Sequence, residues 1–171
     1  MPLASPVFWE DAFRFQAPPN ESGPDREDDM LVSHLLKDKG EGVFTASPHE
    51  TLQGAAAMLH ARRVGAMVVM EKDQVVGILS ERDIIRALAQ SGGGGLSKPI
   101  SDLMTKDVIY ADPRETIDVL LERMTDRRIR HLPVVRDGRL IGIVSIGDLV
   151  KAKIAEAEAE SRHLKAYIAA G

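Results

Sequence analysis

Gly77-Ile-Leu-Ser-Glu-Arg-Asp83 returns 65 residues later as Gly142-Ile-Val-Ser-Ile-Gly-Asp148, and the same offset aligns Val43–Arg86 with Val108–Lys151 without a gap. Twelve of those 44 pairs are identical, among them Ala46/Ala111, Pro48/Pro113, Thr51/Thr116, Gly77/Gly142, Ser80/Ser145 and Asp83/Asp148. Most other aligned apolar positions exchange one aliphatic residue for another. A duplicated unit fixes the architecture before any single element is assigned. Between the copies lies Ser91-Gly-Gly-Gly-Gly-Leu-Ser-Lys-Pro99, a flexible linker by composition. The lead-ins also match: Val32-Ser-His-Leu-Leu36 and Ile100-Ser-Asp-Leu-Met104 each read as a short apolar helical turn.

Within each copy the hydrophobic period changes in the same order. Thr45-Ala-Ser-Pro-His-Glu-Thr51 and Tyr110-Ala-Asp-Pro-Arg-Glu-Thr116 each end a short strand, and a proline followed by an acidic residue opens a helix. Leu52, Ala55, Ala56 and Leu59 mark one helical face, as do Ile117, Leu120, Leu121 and Met124. Ala66–Met70 and Val75–Leu79 read as strands around a polar turn, and His131–Val135 and Leu140–Val144 as their counterparts. Ser80 and Ser145 then begin the second helix of each copy. Each copy is therefore an α/β (α+β) unit of order βαββα. Either unit buries too little surface alone, so the two must pack on each other.

The division that follows is an arm over 1–29, a first domain over 30–90, the linker over 91–99, a second domain over 100–150 and a helical extension over 151–171. The arm carries five prolines, an acidic run and four of the chain's seven aromatic residues, Phe8, Trp9, Phe13 and Phe15. Proline and charge read as disorder, while the aromatic stretch reads as a docking segment. Both readings stay open.

Composition excludes several classes. With 26 acidic and 22 basic side chains the formal charge is -4, so no global positive field draws nucleic acid and any anion site is local. There is no cysteine, which removes thiol chemistry and fits a reducing, cytoplasmic setting. No apolar run has the roughly 18 residues of a membrane span, and the N-terminus lacks a secretory pattern. His34, His49, His60 and His163 show no metal spacing, and no nucleophile triad or Walker loop appears. An enzyme is not expected.

The chemistry concentrates in Gly-x-x-Ser-x-x-Asp at the two strand-to-helix junctions. Glycine admits a close approach, the serine caps the helix, and the helix N-terminus offers free amides to an anion. Asp83 and Asp148, one turn on, are placed to accept both hydroxyls of a ribose. Phosphate and ribose together point to a nucleotide. The plainer reading is a capping box, in which the acidic side chain reaches back to the cap amide; recurrence at both junctions argues for more than that.

This pattern resembles the CBS (cystathionine β-synthase) domain pair, or Bateman module, over about Met30–Val150. The features that carry it are Thr-x-x-Pro-x-x-Thr (Thr45–Thr51), the apolar hairpins, His131-Leu-Pro-Val-Val135 and both Gly-x-x-Ser-x-x-Asp strings. The resemblance implies two units packed as a pseudo-two-fold pair with two clefts that take AMP, ADP, ATP, NAD(H) or, as a poorer fit, S-adenosylmethionine. It further implies that one cleft joins Ser145, Asp148, Ile143 and His131 to Val64, Gly65, Ala66 and Thr45–Ser47. The other joins Ser80, Asp83 and Ile78 to Ile129, Arg130, His131 and the segment Tyr110–Asp112. By the same resemblance the aspartates hold ribose, the serines lie near ribose or phosphate, and the backbone at Ile78 or Ile143 meets the adenine edge.

The copies also differ. Copy one has Ala66 where copy two has His131, and Arg82 where copy two has Gly147. Arg127, Arg128 and Arg130 stand ready to hold phosphates, or else form a solvated helix end. His131 is either a ligand contact or a satisfied core histidine. The Asp148 cleft is the more conventional of the two.

Beyond copy two, Val150, Ile154, Ala157, Ser161, Leu164 and Ile168 recur at alternating steps of four and three, a heptad seam. It reads as a homodimer contact or as a helix laid over its own domain. The expected function is an adenine-nucleotide sensor that relays ligand state to a protein partner. The alternative is a structural or interaction module with empty clefts.

Overall fold

The computed structural model describes residues 30–40 and 42–170; the 1–29 arm lies outside the described residues. In chain order the elements are α1 (Val32–Lys39), β1 (Thr45–Ala46), α2 (Leu52–Arg62), β2 (Ala66–Glu71), β3 (Gln74–Ser80) and α3 (Glu81–Ser91). After two short 3-10 turns come α4 (Ile117–Arg127), β4 (His131–Arg136), β5 (Arg139–Ser145) and α5 (Ile146–Ala170). The two copies match element for element, except that the first strand of copy two shrinks to a parallel bridge between Ala111 and Val134. In copy one β1 runs parallel to β2, and β2 pairs antiparallel with β3. β4 and β5 form the equivalent hairpin, with the same irregularity two pairs before the turn.

Each first helix starts one turn later than the proline suggests. Thr51 and Thr116 are the N-caps, their hydroxyls accepting from Gly54 N (3.2 Å) and Val119 N (3.4 Å). Pro48 and Pro113 lie in the preceding turn, where their carbonyls accept from Ser101 N (3.0 Å) and Ser33 N (2.8 Å) of the lead-ins. Proline there fixes φ for the turn and removes no donor that the turn needs. The helices then bury the expected faces: Leu52, Ala55 and Leu59 in α2, and Ile117, Leu120 and Met124 in α4.

The lead-ins cross over. Val32 and Leu36 of α1, which precede copy one, are buried among Ala111, Ile117, Leu120, Met124, Leu132 and Val144 of copy two. Ile100, which precedes copy two, is buried among Leu52, Leu59, Met67 and Leu79 of copy one. Backbone bonds seal both exchanges, Val32 N to Glu115 O at 2.9 Å and Ile100 N to Glu50 O at 2.8 Å. Neither core is complete without chain from the other side of the repeat, so the pair is one cooperative body.

Both repeat glycines serve this exchange. A Cβ at Gly77 would stand 2.5 Å from Met104 Sδ and 3.1 Å from Thr105 O, and one at Gly142 would stand 2.6 Å from Leu36 Cδ2. The close approach foreseen at these glycines is made by the lead-ins. The Gly-rich stretch is likewise not a loose tether: Gly92–Ser97 forms a 3-10 turn, and Gly95 is buried with room for no side chain against Ala87 O (3.0 Å). No helix of the described residues is long and apolar enough to cross a membrane.

Candidate functional site

At both junctions the serine and aspartate do close a capping box. Ser80 N and Ser80 Oγ donate to Asp83 Oδ2 at 2.8 and 2.6 Å, and Ser145 N and Ser145 Oγ donate to Asp148 Oδ2 at 2.8 and 2.7 Å. Satisfying a helix's orphan amides in this way explains the motif locally. The two carboxylates nevertheless differ in setting. Asp83 is the one buried charged residue among the described residues, 5% exposed, with Arg86 Nη2 3.1 Å from its Oδ1. Asp148 is partly exposed and receives Lys39 Nζ, from the crossing α1, at 2.6 Å. The same ammonium donates to Ile143 O at 3.0 Å. Burial pushes the Asp148 carboxyl up, but the hydrogen bonds from Lys39 and Ser145 outweigh it and hold the group below the usual aspartate range.

On the Asp83 side the copies enclose a cavity of about 230 Å³. Copy one supplies Ile78, Ser80, Arg82, Asp83 and Arg86. The segment between the lead-in and first bridge of copy two supplies Thr105, Asp107, Val108 and Ile109, and the helix end and hairpin supply Arg128, Ile129, Arg130, His131 and Pro133. Apolar walls from Ile78, Val108, Ile109, Ile129 and Pro133 suit a flat ring. Four exposed guanidiniums stand around them, against the two carboxylates of Asp83 and Asp107. In a chain of net charge -4 this is a local positive basin. Its volume lies a little below the ~300–1,000 Å³ of typical small-molecule pockets.

Several expected positions move. Tyr110 and Asp112 do not line the cavity; Asp107–Ile109, just before them, does. Asp112 instead pairs with Arg114, whose hydrogen bond holds its carboxyl below the ordinary value, and the Tyr110 carbonyl accepts from Arg123. The backbone of Ile78, for which an adenine-edge role is implied, pairs with Thr105, N and O both at 3.0 Å. Arg127 is not among the lining residues, whereas Arg128 caps α4 in the left-handed region with φ 54°.

On the other side, Val64 and Gly65 lead into Ala66 of β2, and Thr45 pairs with Val68 at the sheet edge. Gly65 lies beside the His131 ring, since a Cβ there would come within 3.2 Å of Cε1. His131 therefore stands between the clefts: it lines the Asp83 cavity and abuts Gly65. Burial pushes its imidazole below the ordinary value, helped by Arg130 and Lys39 and opposed by Asp148 and Glu81. Lys39, Thr105 and Asp107 were not singled out because they lie on or just after the lead-ins, each of which was placed with its own copy, and Arg86 because it lies on α3 one turn beyond the motif's Asp83. The aligned lead-ins were the available signal, but nothing in them announced the exchange.

A duplicated strand–helix–hairpin–helix unit with exchanged lead-ins and a polar cleft between copies defines a paired-repeat binding module. The family model described as "CBS domain" matches residues 39–90 and again 100–155, and the chain belongs to that family. It is 34% identical over 149 residues to the protein named CBS domain-containing protein CBSX3, mitochondrial, of Arabidopsis thaliana, covering 82% of this chain and 72% of that one. It is 34% identical over 120 residues to CBS domain-containing protein YhcV of Bacillus subtilis, covering 70% and 84%. Among solved structures, a CBS-domain containing protein from Agrobacterium tumefaciens superposes with TM-score 0.71 at 45% identity, over 72% of this chain and 92% of that one. The CBS domain pair of protein MJ0100, in complex with 5-methylthioadenosine and S-adenosyl-L-methionine, superposes with TM-score 0.67 at 28% identity, over 75% and 98%.

Proposed function

We propose that this chain is a regulatory module whose Asp83 cleft takes a phosphate-bearing adenine nucleotide, of the AMP, ADP, ATP or NAD(H) class, and relays its presence to a protein partner. The observation that carries this reading is the cavity between the copies, apolar in its walls and faced by Arg82, Arg86, Arg128 and Arg130. Apolar walls receive the base, the Asp83 junction lies where a ribose would, and guanidiniums hold phosphate bidentately. The adenosine compounds bound by the MJ0100 pair support the choice of adenosine. A net excess of two positive charges around the cavity favours a phosphate over S-adenosylmethionine, whose sulfonium is itself a cation. Because the cavity joins both copies, a ligand there acts on their packing, which is what a relay requires.

A second reading, a structural or interaction module without nucleotide, is favoured by the two complete capping boxes, since each aspartate already has a local purpose. A thermal-shift and calorimetric screen with AMP, ADP, ATP, NAD, NADH and S-adenosylmethionine separates the two. A ligand that binds only the folded chain at about 100 times its Kd adds ~2.7 kcal/mol of stability. Sensing predicts a shift with phosphate-bearing adenylates that Arg130→Ala weakens. No shift with any of them at millimolar concentration leaves the interaction module as the function.

A further inference from the structure

The second family match ends at residue 155, whereas α5 continues to Ala170. The start of α5 packs on its own body through Leu149 and Ala152, which are buried, and through Lys153, which reaches Asp118 of α4 at 2.7 Å. The heptad seam lies on a different face. Its large members are uncovered: Val150 is 44% exposed, Ile154 56%, Leu164 57% and Ile168 76%. The seam is therefore not what holds α5 to the body.

We propose that this seam pairs with the same seam of a second copy, in parallel and in register. In heptad terms Ile154, Ser161 and Ile168 occupy a, and Val150, Ala157 and Leu164 occupy d. Two arrangements cover all six residues, and the flanking charges choose between them. The antiparallel one is centred near residue 159, where e faces e and g faces g. It sets Glu158 against Glu158, Glu160 against Glu160 and Lys151 against Lys165 of the second copy, all like charges. The parallel one sets each g against the e five residues on. Glu160 then meets Lys165, and two-fold symmetry repeats the pair, while Lys153 stays with Asp118 and Glu156 of its own chain. Ser161, polar at a central a position, further fixes the register. Ala157 and Ser161 bury little area, so the pairing is reversible and concentration-dependent.

Sedimentation of the full chain over micromolar to high-micromolar concentration tests this. The expected mass rises toward twice the 18.7 kDa of one chain. Leu164→Asp and Ile168→Asp, both on exposed positions, should return it to one chain while circular dichroism and the melting temperature stay unchanged. Glu160→Lys and Lys165→Glu should each weaken association about tenfold or more, a change of ~1.4 kcal/mol, and the two together should restore it. A single-chain mass throughout, a dimer indifferent to Leu164→Asp, or restoration by Glu158→Lys with Lys165→Glu in place of the first pair would overturn the proposal.

Discussion

Lys39 Nζ, at the end of α1, donates to Asp148 Oδ2 at 2.6 Å, so the lead-in of copy one is tied to the capping carboxylate of copy two. Oδ2 already accepts from Ser145 N and Ser145 Oγ, and the ammonium also holds Ile143 O. A ribose diol approaching Asp148 must compete with an internal cation. Both partners are partly exposed, 35% and 27% in their side chains, so the pair itself contributes within the ~0–1 kcal/mol of surface ion pairs. Lys39→Met is expected to change stability by less than about 1 kcal/mol. In an Asp83→Ala background it is expected to increase adenylate binding, read by calorimetric stoichiometry; unchanged or weaker binding would show that Lys39 is not a competitor.

Gly77 and Gly142 carry the exchanged lead-ins, and their replacement should be costly. An added methyl at Gly77 meets Met104 and the backbone carbonyl of Thr105, while at Gly142 it meets the end of the Leu36 side chain. Overpacking of this kind costs about 1–3 kcal/mol. Gly77→Ala is expected at the upper part of that range, because a carbonyl in a paired backbone cannot swing aside, and Gly142→Ala at the lower. Chemical denaturation measures both. Gly77→Ala combined with Met104→Ala should cost less than the sum of the two single changes, a non-additivity that neighbours in contact display.

The repeat made the order of elements legible, down to hairpin strands that the structure lengthens by one or two residues. The burial faces of α2 and α4 were legible for the same reason: period and spacing are local properties of the chain. The exchange of lead-ins was not, because an apolar turn such as Val32–Leu36 states that it must be buried but not against which copy. The site inherits that gap. Ser80 and Asp83 stand out in the sequence by their motif, and Arg130 and His131 by the family resemblance, and all four line the cavity, whereas Thr105, Asp107 and Lys39 reach their clefts only through the crossover. Each aspartate sits beside an internal cation, Asp148 under the Lys39 ammonium and Asp83 beside the Arg86 guanidinium, and the arginine-faced cavity lies on the Asp83 side.

The arginines around that cavity should act on phosphate and leave the body intact. Arg128 and Arg130 are exposed and lie at the end of α4 and just before β4. Arg130→Gln and Arg128→Gln are each expected to weaken ADP or ATP binding about tenfold, ~1.4 kcal/mol, and to weaken adenosine binding far less. Parallel titrations with nucleoside and nucleotide check this. Equal losses for both ligands would mean that the guanidiniums shape the pocket rather than hold phosphate.

His131 gives the fold an acid-sensitive joint between its clefts. Its imidazole is held below the ordinary value of 6.5, first by burial and then by Arg130 and Lys39, while Asp148 and Glu81 pull the other way. A depressed value means that the unfolded chain takes up the proton more readily than the folded one. The contribution of neutral His131 is then complete above the unfolded value of 6.5 and is lost as pH falls below it toward the folded value. Asp148 has the same sign at a lower window, its contribution fading only below about the ordinary aspartate value of 3.8. His131→Gln is therefore expected to flatten the decline in melting temperature just below pH 6.5 and to leave the later, carboxylate-driven decline in place. A phosphate bound beside His131 favours the imidazolium, so affinity for NAD, which has no terminal phosphate titrating near pH 6, should rise as pH falls over that interval in the native chain and stay level in the variant. Melting curves and titrations across it read both effects, and a variant with the parent's pH profile would remove His131 from this role.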